Sequence, residues 1–233
     1  MTHPTGSVVP VTVFWVLMAV AGAAALVDWT AVARSDTALG YVAKPTVLVA
    51  LTAACAVLPD GRTDLVDRKW WFVGALVFCL AGDVVLMLPG NLFVPGLAAF
   101  LAAHGLYIVG FLQPPSPPGV PPFAFSATGL AVAAGVAAAY AAVPATLIFG
   151  ALRRDGHRSL RVPVAIYLVT ILSMAVMAAN VGVPAALVGA VLFVVSDTLL
   201  ALHRFVRPIR HGDVAVHITY HLTQGLLVLS LLH

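Results

Sequence analysis

The sequence predicts an all-α membrane protein, one polytopic transmembrane domain over residues 1–233 with about eight spanning helices. Three observations predict it. Hydrophobic residues make up 61% of the chain and charged residues 9%, whereas a soluble domain carries about 25% charged residues. Mean hydropathy is +1.04. Apolar runs close to the ~20 residues that cross a bilayer fill nearly the whole chain. The acidic residues are all aspartate. No basic patch is interleaved with aromatic residues, so a nucleic-acid partner is not expected.

The expected spans, in order, are Val8–Val27, Tyr41–Leu58, Trp70–Leu88, Val94–Leu112, Phe123–Leu152, Val162–Val181, Pro184–His203 and Val214–Leu232. No Lys or Arg occurs in the first ten residues and no cleavage-like site follows the first run. The first helix is therefore expected to be retained rather than removed as a signal peptide. The fifth span is too long for one crossing, and Pro144 is expected to kink it or mark where it leaves the membrane. Pro114-Pro115-Ser116-Pro117-Pro118-Gly119, with Pro121-Pro122, reads as a stiff extended connector. Cys55 and Cys79 both lie inside apolar runs and read as small buried hydrophobes rather than a disulfide.

Cations set the expected orientation. Arg34, Lys44, Arg153, Arg154, Arg158, Arg161, Arg204, Arg207 and Arg210 fall on one side, against Arg62, Arg68 and Lys69 on the other. The excess of Lys and Arg marks the cytoplasmic face. Both termini are then outside, in what is expected to be a bacterial inner membrane.

Asp83 and Asp197 stand deep in two spans that run the same way. At ~1.5 Å per residue each lies about 8 Å from the inner end of its helix, so they share one depth. A charge at that depth costs at least ~2.5–3.5 kcal/mol and marks a candidate functional site. Lys44 and Tyr41 open the second span from the same side, and Tyr167 lies near the start of the sixth. His217, Tyr220, His221 and Gln224 form one polar stripe on the last span. His104 and Tyr107 share a face of the fourth, nearer the membrane centre. Together these groups predict a cavity open towards the cytoplasmic leaflet.

A short repeat accompanies the pair. His104-Gly105-Leu106-Tyr107 follows Asp83 at nearly the spacing at which His217-Ile218-Thr219-Tyr220 follows Asp197. Four spans separate the copies, so a parallel four-plus-four duplication is expected.

Two carboxylates facing each other in low dielectric do not both hold a charge comfortably, which leaves a protonated acid beside a carboxylate base. That division suits hydrolysis: one Asp gives a proton to the substrate while the other activates water. A lone buried Asp is as readily a hydrogen bond between helices; a pair at one depth beside Lys44 points to chemistry. Lys44 itself reads either as an interface anchor or as a residue that holds a phosphate or tunes an Asp. His104 and His217 could join the aspartates around zinc, and His217 and His221, four apart, could chelate. That spacing is all the sequence offers a metal, and no metal or cofactor is expected. A transporter with a polar midplane site and a metal-dependent lipid amidase of the ceramidase kind are the rival classes.

Five motifs occur in order: Lys44-Pro45, Gly82-Asp83-x-x-Leu86-Met87, Phe100-x-x-x-His104-x-x-Tyr107, Gly189-Ala190-x-x-Phe193-x-x-Ser196-Asp197, and Tyr220-x-x-x-Gln224. The set resembles the lysoplasmalogenase family of YhhN-like membrane proteins over spans two to eight. The resemblance implies an eight-helix hydrolase that cleaves the vinyl ether bond of lysoplasmalogens, with a lysophospholipid substrate and membrane lipids as partners. It implies Asp83 and Asp197 as the catalytic pair. Lys44, Tyr41, His104, Tyr107, Tyr167, Ser196, Tyr220 and Gln224 are then expected around the substrate. His217 and His221 look like features of this chain rather than marks of the family.

Overall fold

The computed structural model describes residues 8–58, 66–113, 127–142, 144–154 and 158–232. The helices are α1 (Val8–Ala33), α2 (Thr37–Ala56), α3 (Val66–Met87), α4 (Phe93–Leu112), α5 (Ala127–Ala142), α6 (Pro144–Arg154), α7 (Arg161–Asn180), α8 (Pro184–Ala201) and α9 (Gly212–Leu229). Among the described residues, seven helices are long and apolar enough to cross a membrane. The proline-rich connector, Arg62, His3, His157 and His233 lie outside the described residues.

The long fifth run holds α5 and α6, and residue 143 between them lies outside the described residues. Helix α5 has 16 residues and α6 has 11. Pro144 is the first residue of α6, where the missing N–H has no intrahelical acceptor to lose. Helix α6 buries Ile148, Ala151 and Leu152 and ends in Arg153 and Arg154, cations placed favourably against the helix dipole. The start of α2 is fixed by Asp36, whose carboxylate accepts the N–H of Leu39 at 3.0 Å. Helix α8 runs on into a π-helical turn, Leu202–Val206.

Helices α3 and α4 pack closely because glycines sit where they touch. A Cβ on Gly82 would meet the Phe100 ring at 2.7 Å, and one on Gly96 would meet Leu86 at 2.5 Å. Gly110 lies against Phe72 in the same way. Helices α8 and α9 pack through Gly189, which faces Leu226 and Leu227. Small residues at helix contacts are how packing is gained where lipid removes the hydrophobic drive between helices. On α7, Val162, Ile166 and Val169 are exposed along one face, an apolar stripe that suits hydrocarbon and not water.

Arg68 and Lys69 are buried, which their place in the cation count did not indicate. Arg68 donates from Nε to the carbonyl of Gly110 at 3.1 Å and from Nη2 to that of Gln113 at 2.8 Å. Lys69 donates to the carbonyl of Leu58 at 3.0 Å. Both cations therefore satisfy carbonyls left over at the ends of α4 and α2. Cys55 and Cys79 are free and buried.

Candidate active site

A cavity of about 570 Å³ is lined by residues from all nine helices, α1 to α9. Asp83 and Asp197 both line it, with Lys44, Tyr41, Tyr167, Ser196 and Tyr220. The two acids reach the same cavity from α3 and α8.

Asp83 is 1% exposed, and each of its oxygens has a donor. Oδ1 lies 2.8 Å from Nζ of Lys44. Oδ2 accepts the Tyr220 hydroxyl at 2.9 Å. The register of α9 brings Tyr220 there, and the Lys44 ammonium sits 5.6 Å from the centre of its ring. An ammonium on one oxygen and a phenol on the other favour the carboxylate form against the cost of burying it.

Asp197 has a different environment. Its Oδ2 accepts a hydrogen bond from the Tyr167 hydroxyl, and no cation pairs with it among the described residues. It is partly open to the cavity. Neighbouring Ser196 donates to the carbonyl of Val216 at 3.2 Å, tying α8 to α9 beside the acid. Tyr41, 51% exposed, donates to the carbonyl of Met87 at 2.6 Å and joins the start of α2 to the end of α3. At the mouth Arg204 stacks on Phe93, 4.4 Å from its ring centre, and donates to Asn91 at 3.3 Å.

Three expected substrate contacts lie behind the cavity wall. His104 is fully buried; its Nδ1 bonds the carbonyl of Phe100 at 2.6 Å, and its ring packs against Tyr167 and Phe193. Tyr107 donates to Oε1 of Gln224 at 2.6 Å, and Gln224 donates to Sγ of Cys79 at 3.3 Å. Being polar within an apolar run brought all three into the expected set. Tyr107 and Gln224 bond each other across two helices, whereas His104 bonds a carbonyl of its own helix and leaves Nε2 buried without a hydrogen-bond partner.

Sequence reasoning missed Asp28. It lines the cavity from α1, is completely buried, and bonds His217 at 2.6 Å. The sequence predicts a first span that ends at Val27, one residue before this acid. The helix instead continues to Ala33. The apolar Ala31-Val32-Ala33 beyond Asp28 was the available signal. The His217–His221 pair one turn apart was another, since imidazoles in low dielectric need a polar partner. Among the described residues, no group of three or more His, Cys, Asp or Glu could hold a metal.

Residues 39–231 match the model of the YhhN family. The chain belongs to the YhhN family. Among curated relatives, human lysoplasmalogenase TMEM86B is 33% identical over 159 residues, covering 68% of this chain and 62% of that protein. A lysoplasmalogenase of Mycobacterium bovis is 34% identical over 167 residues, covering 70% of this chain and 59% of that one. The matched stretch thus spans about six-tenths of the length of these relatives. The pig lysoplasmalogenase TMEM86B is 31% identical. No solved structure matches the chain. The YhhN match begins in α2, so the helices that carry Lys44, Asp83, Tyr167, Asp197 and Tyr220 are inside it, while α1 and Asp28 precede it.

Proposed function

We propose that this protein is a membrane-embedded lysoplasmalogenase, a hydrolase that cleaves the vinyl ether bond of a lysophospholipid to a fatty aldehyde and a glycerophospho-head group. The observation that carries the reading is one cavity that Asp83 and Asp197 both line, in unlike environments. The names of the curated relatives support the substrate class.

The chemistry follows from that asymmetry. Vinyl ether hydrolysis begins with a proton delivered to the alkene carbon remote from oxygen, which leaves an oxocarbenium-like centre beside the ether oxygen. Asp197, without a cation partner, is the acid that gives the proton. Asp83, fixed as an anion by Lys44 and Tyr220, faces the developing positive charge and stabilises it without rearranging. Water then adds to the cationic carbon, and the hemiacetal collapses. The chain of the lipid lies along the apolar wall of Leu97, Phe100, Leu168 and Ile171. Arg204 at the mouth meets the phosphate.

The test is direct. Purified protein in lipid vesicles is given a 1-alkenyl lysophospholipid and, separately, its saturated alkyl ether analogue. Aldehyde should appear from the first and not the second, and Asp83→Asn or Asp197→Asn should abolish it without unfolding the protein. Either variant at full turnover refutes the paired scheme.

The membrane arrangement belongs to the same proposal: eight crossings with α5 in the fifth, both termini outside, and the cavity mouth towards the cytoplasmic leaflet. The exposed Arg204 on the cavity wall supports it, and one-sided labelling of introduced cysteines tests it. A four-plus-four duplication is supported by the two glycine-packed pairs, α3–α4 and α8–α9, each carrying one acid. Its tyrosines are not strictly exchanged: Asp83 takes Tyr220, whereas Asp197 takes Tyr167 and not Tyr107.

A further inference from the structure

We propose that His217, held by the buried Asp28, is the base that takes the proton from the attacking water. The inference rests on the hydrolase reading and adds to the two aspartates a dyad drawn from α1 and α9.

Asp28 is completely buried, and its Oδ1 has no hydrogen-bond partner. Its Oδ2 lies 2.6 Å from Nδ1 of His217. A second imidazole is close, with Nδ1 of His221 3.9 Å from the same oxygen. That nitrogen is already engaged, because it accepts the indole N–H of Trp29 at 3.1 Å. An indole nitrogen only donates, so Nδ1 of His221 carries no proton to offer Asp28. The carboxylate therefore belongs to His217.

An ionised carboxylate only accepts, so the proton of neutral His217 sits on Nδ1 and the lone pair is on Nε2. The His217 side chain is 20% exposed and lines the cavity. Among the described residues nothing bonds Nε2. An imidazole on the cavity wall, oriented through Nδ1 by a buried acid and with Nε2 unbonded among the described residues, has the geometry of a general base. Asp83 is a poor alternative, since Lys44 and Tyr220 occupy its two oxygens.

The protons balance. Asp197 gives its proton to the alkenyl carbon. Water bonds to the oxocarbenium carbon, and one water proton passes to Nε2; Asp28 stabilises the imidazolium. When the hemiacetal collapses, its carbon–oxygen bond to glycerol breaks and the departing oxygen takes the proton from Nε2. The hemiacetal hydroxyl gives its own proton to Asp197, which returns both groups to their starting state.

The test measures aldehyde release by the full chain in vesicles with His217→Ala, His217→Gln and Asp28→Asn. General-base loss is worth about 100-fold or more. Both His217 variants should lose about that much in kcat with KM nearly unchanged, and added imidazole should restore part of the rate to His217→Ala. Asp28→Asn, which removes a positioning residue and misorients the ring, should lower kcat about 10-fold or more at unchanged KM. Wild-type turnover by His217→Ala, or a loss that imidazole does not relieve, overturns the base assignment and leaves the aspartate scheme standing. A wild-type protein that leaves the alkenyl chain on glycerol overturns both readings.

Discussion

Nζ of Lys44 lies 2.8 Å from Oδ1 of Asp83 at a place where the lysine side chain is 13% exposed and the aspartate 1%. Neither group would be stable there alone. Removing one partner of a buried pair leaves an uncompensated charge and costs about 3–5 kcal/mol. Lys44→Met should therefore lower the thermal midpoint of the purified protein markedly and abolish turnover. Adding Asp83→Asn to Lys44→Met should recover most of the midpoint and none of the turnover. A double-mutant cycle on thermal unfolding checks the coupling.

Tyr167 and Asp197 form a pair of another kind, in which the phenol steadies the acid without neutralising it. Tyr167→Phe removes one hydrogen bond to a group that becomes charged, about 1.5–3 kcal/mol. Turnover should fall about 10- to 150-fold, by the factor of 10 per ~1.4 kcal/mol. The folded state should survive, and single-turnover aldehyde release reads the effect without interference from product departure.

Gly82 touches the Phe100 ring, and Phe100 packs edge-on against Tyr220 at 6.0 Å. A methyl group on Gly82 displaces that ring and disturbs the tyrosine holding Asp83. Gly82→Ala is expected to lower both stability and kcat. Gly105→Ala, on the same pair of helices but with nothing within 4 Å, should be neutral or stabilise by up to ~1 kcal/mol. Thermal midpoints and turnover of the two variants, compared side by side, separate packing from site effects.

Tyr107 and Gln224 bond each other out of reach of the cavity. Tyr107→Phe strands the Gln224 oxygen in the interior, at about 1–3 kcal/mol, and should lower the midpoint while leaving kcat per folded molecule near wild type. A loss of kcat without a loss of stability would return Tyr107 to the site.

These four cases also mark what was legible in the sequence. The depth of Asp83 and Asp197 follows from helical rise, and so does the side from which Lys44 enters, because a spanning helix has one rise and few ways to face. Partner identity does not follow from rise. His104, Tyr107 and Gln224 share the polarity and period of the cavity residues, and only lateral packing separates them from the site. Asp28 shows the opposite failure. A charge at the apparent end of an apolar run looks like an interface residue, yet here α1 continues past it and α9 supplies the imidazole that makes its burial tolerable.

One helix, α9, supplies both the phenol on Asp83 and the imidazole on Asp28, from positions three residues apart. The rotational phase of that single helix thus sets two acids together. One residue inserted before His217 would turn both side chains by about 100° and detach both at a stroke. The two contacts are geared to each other, and any motion that rolls α9 engages or releases them in unison.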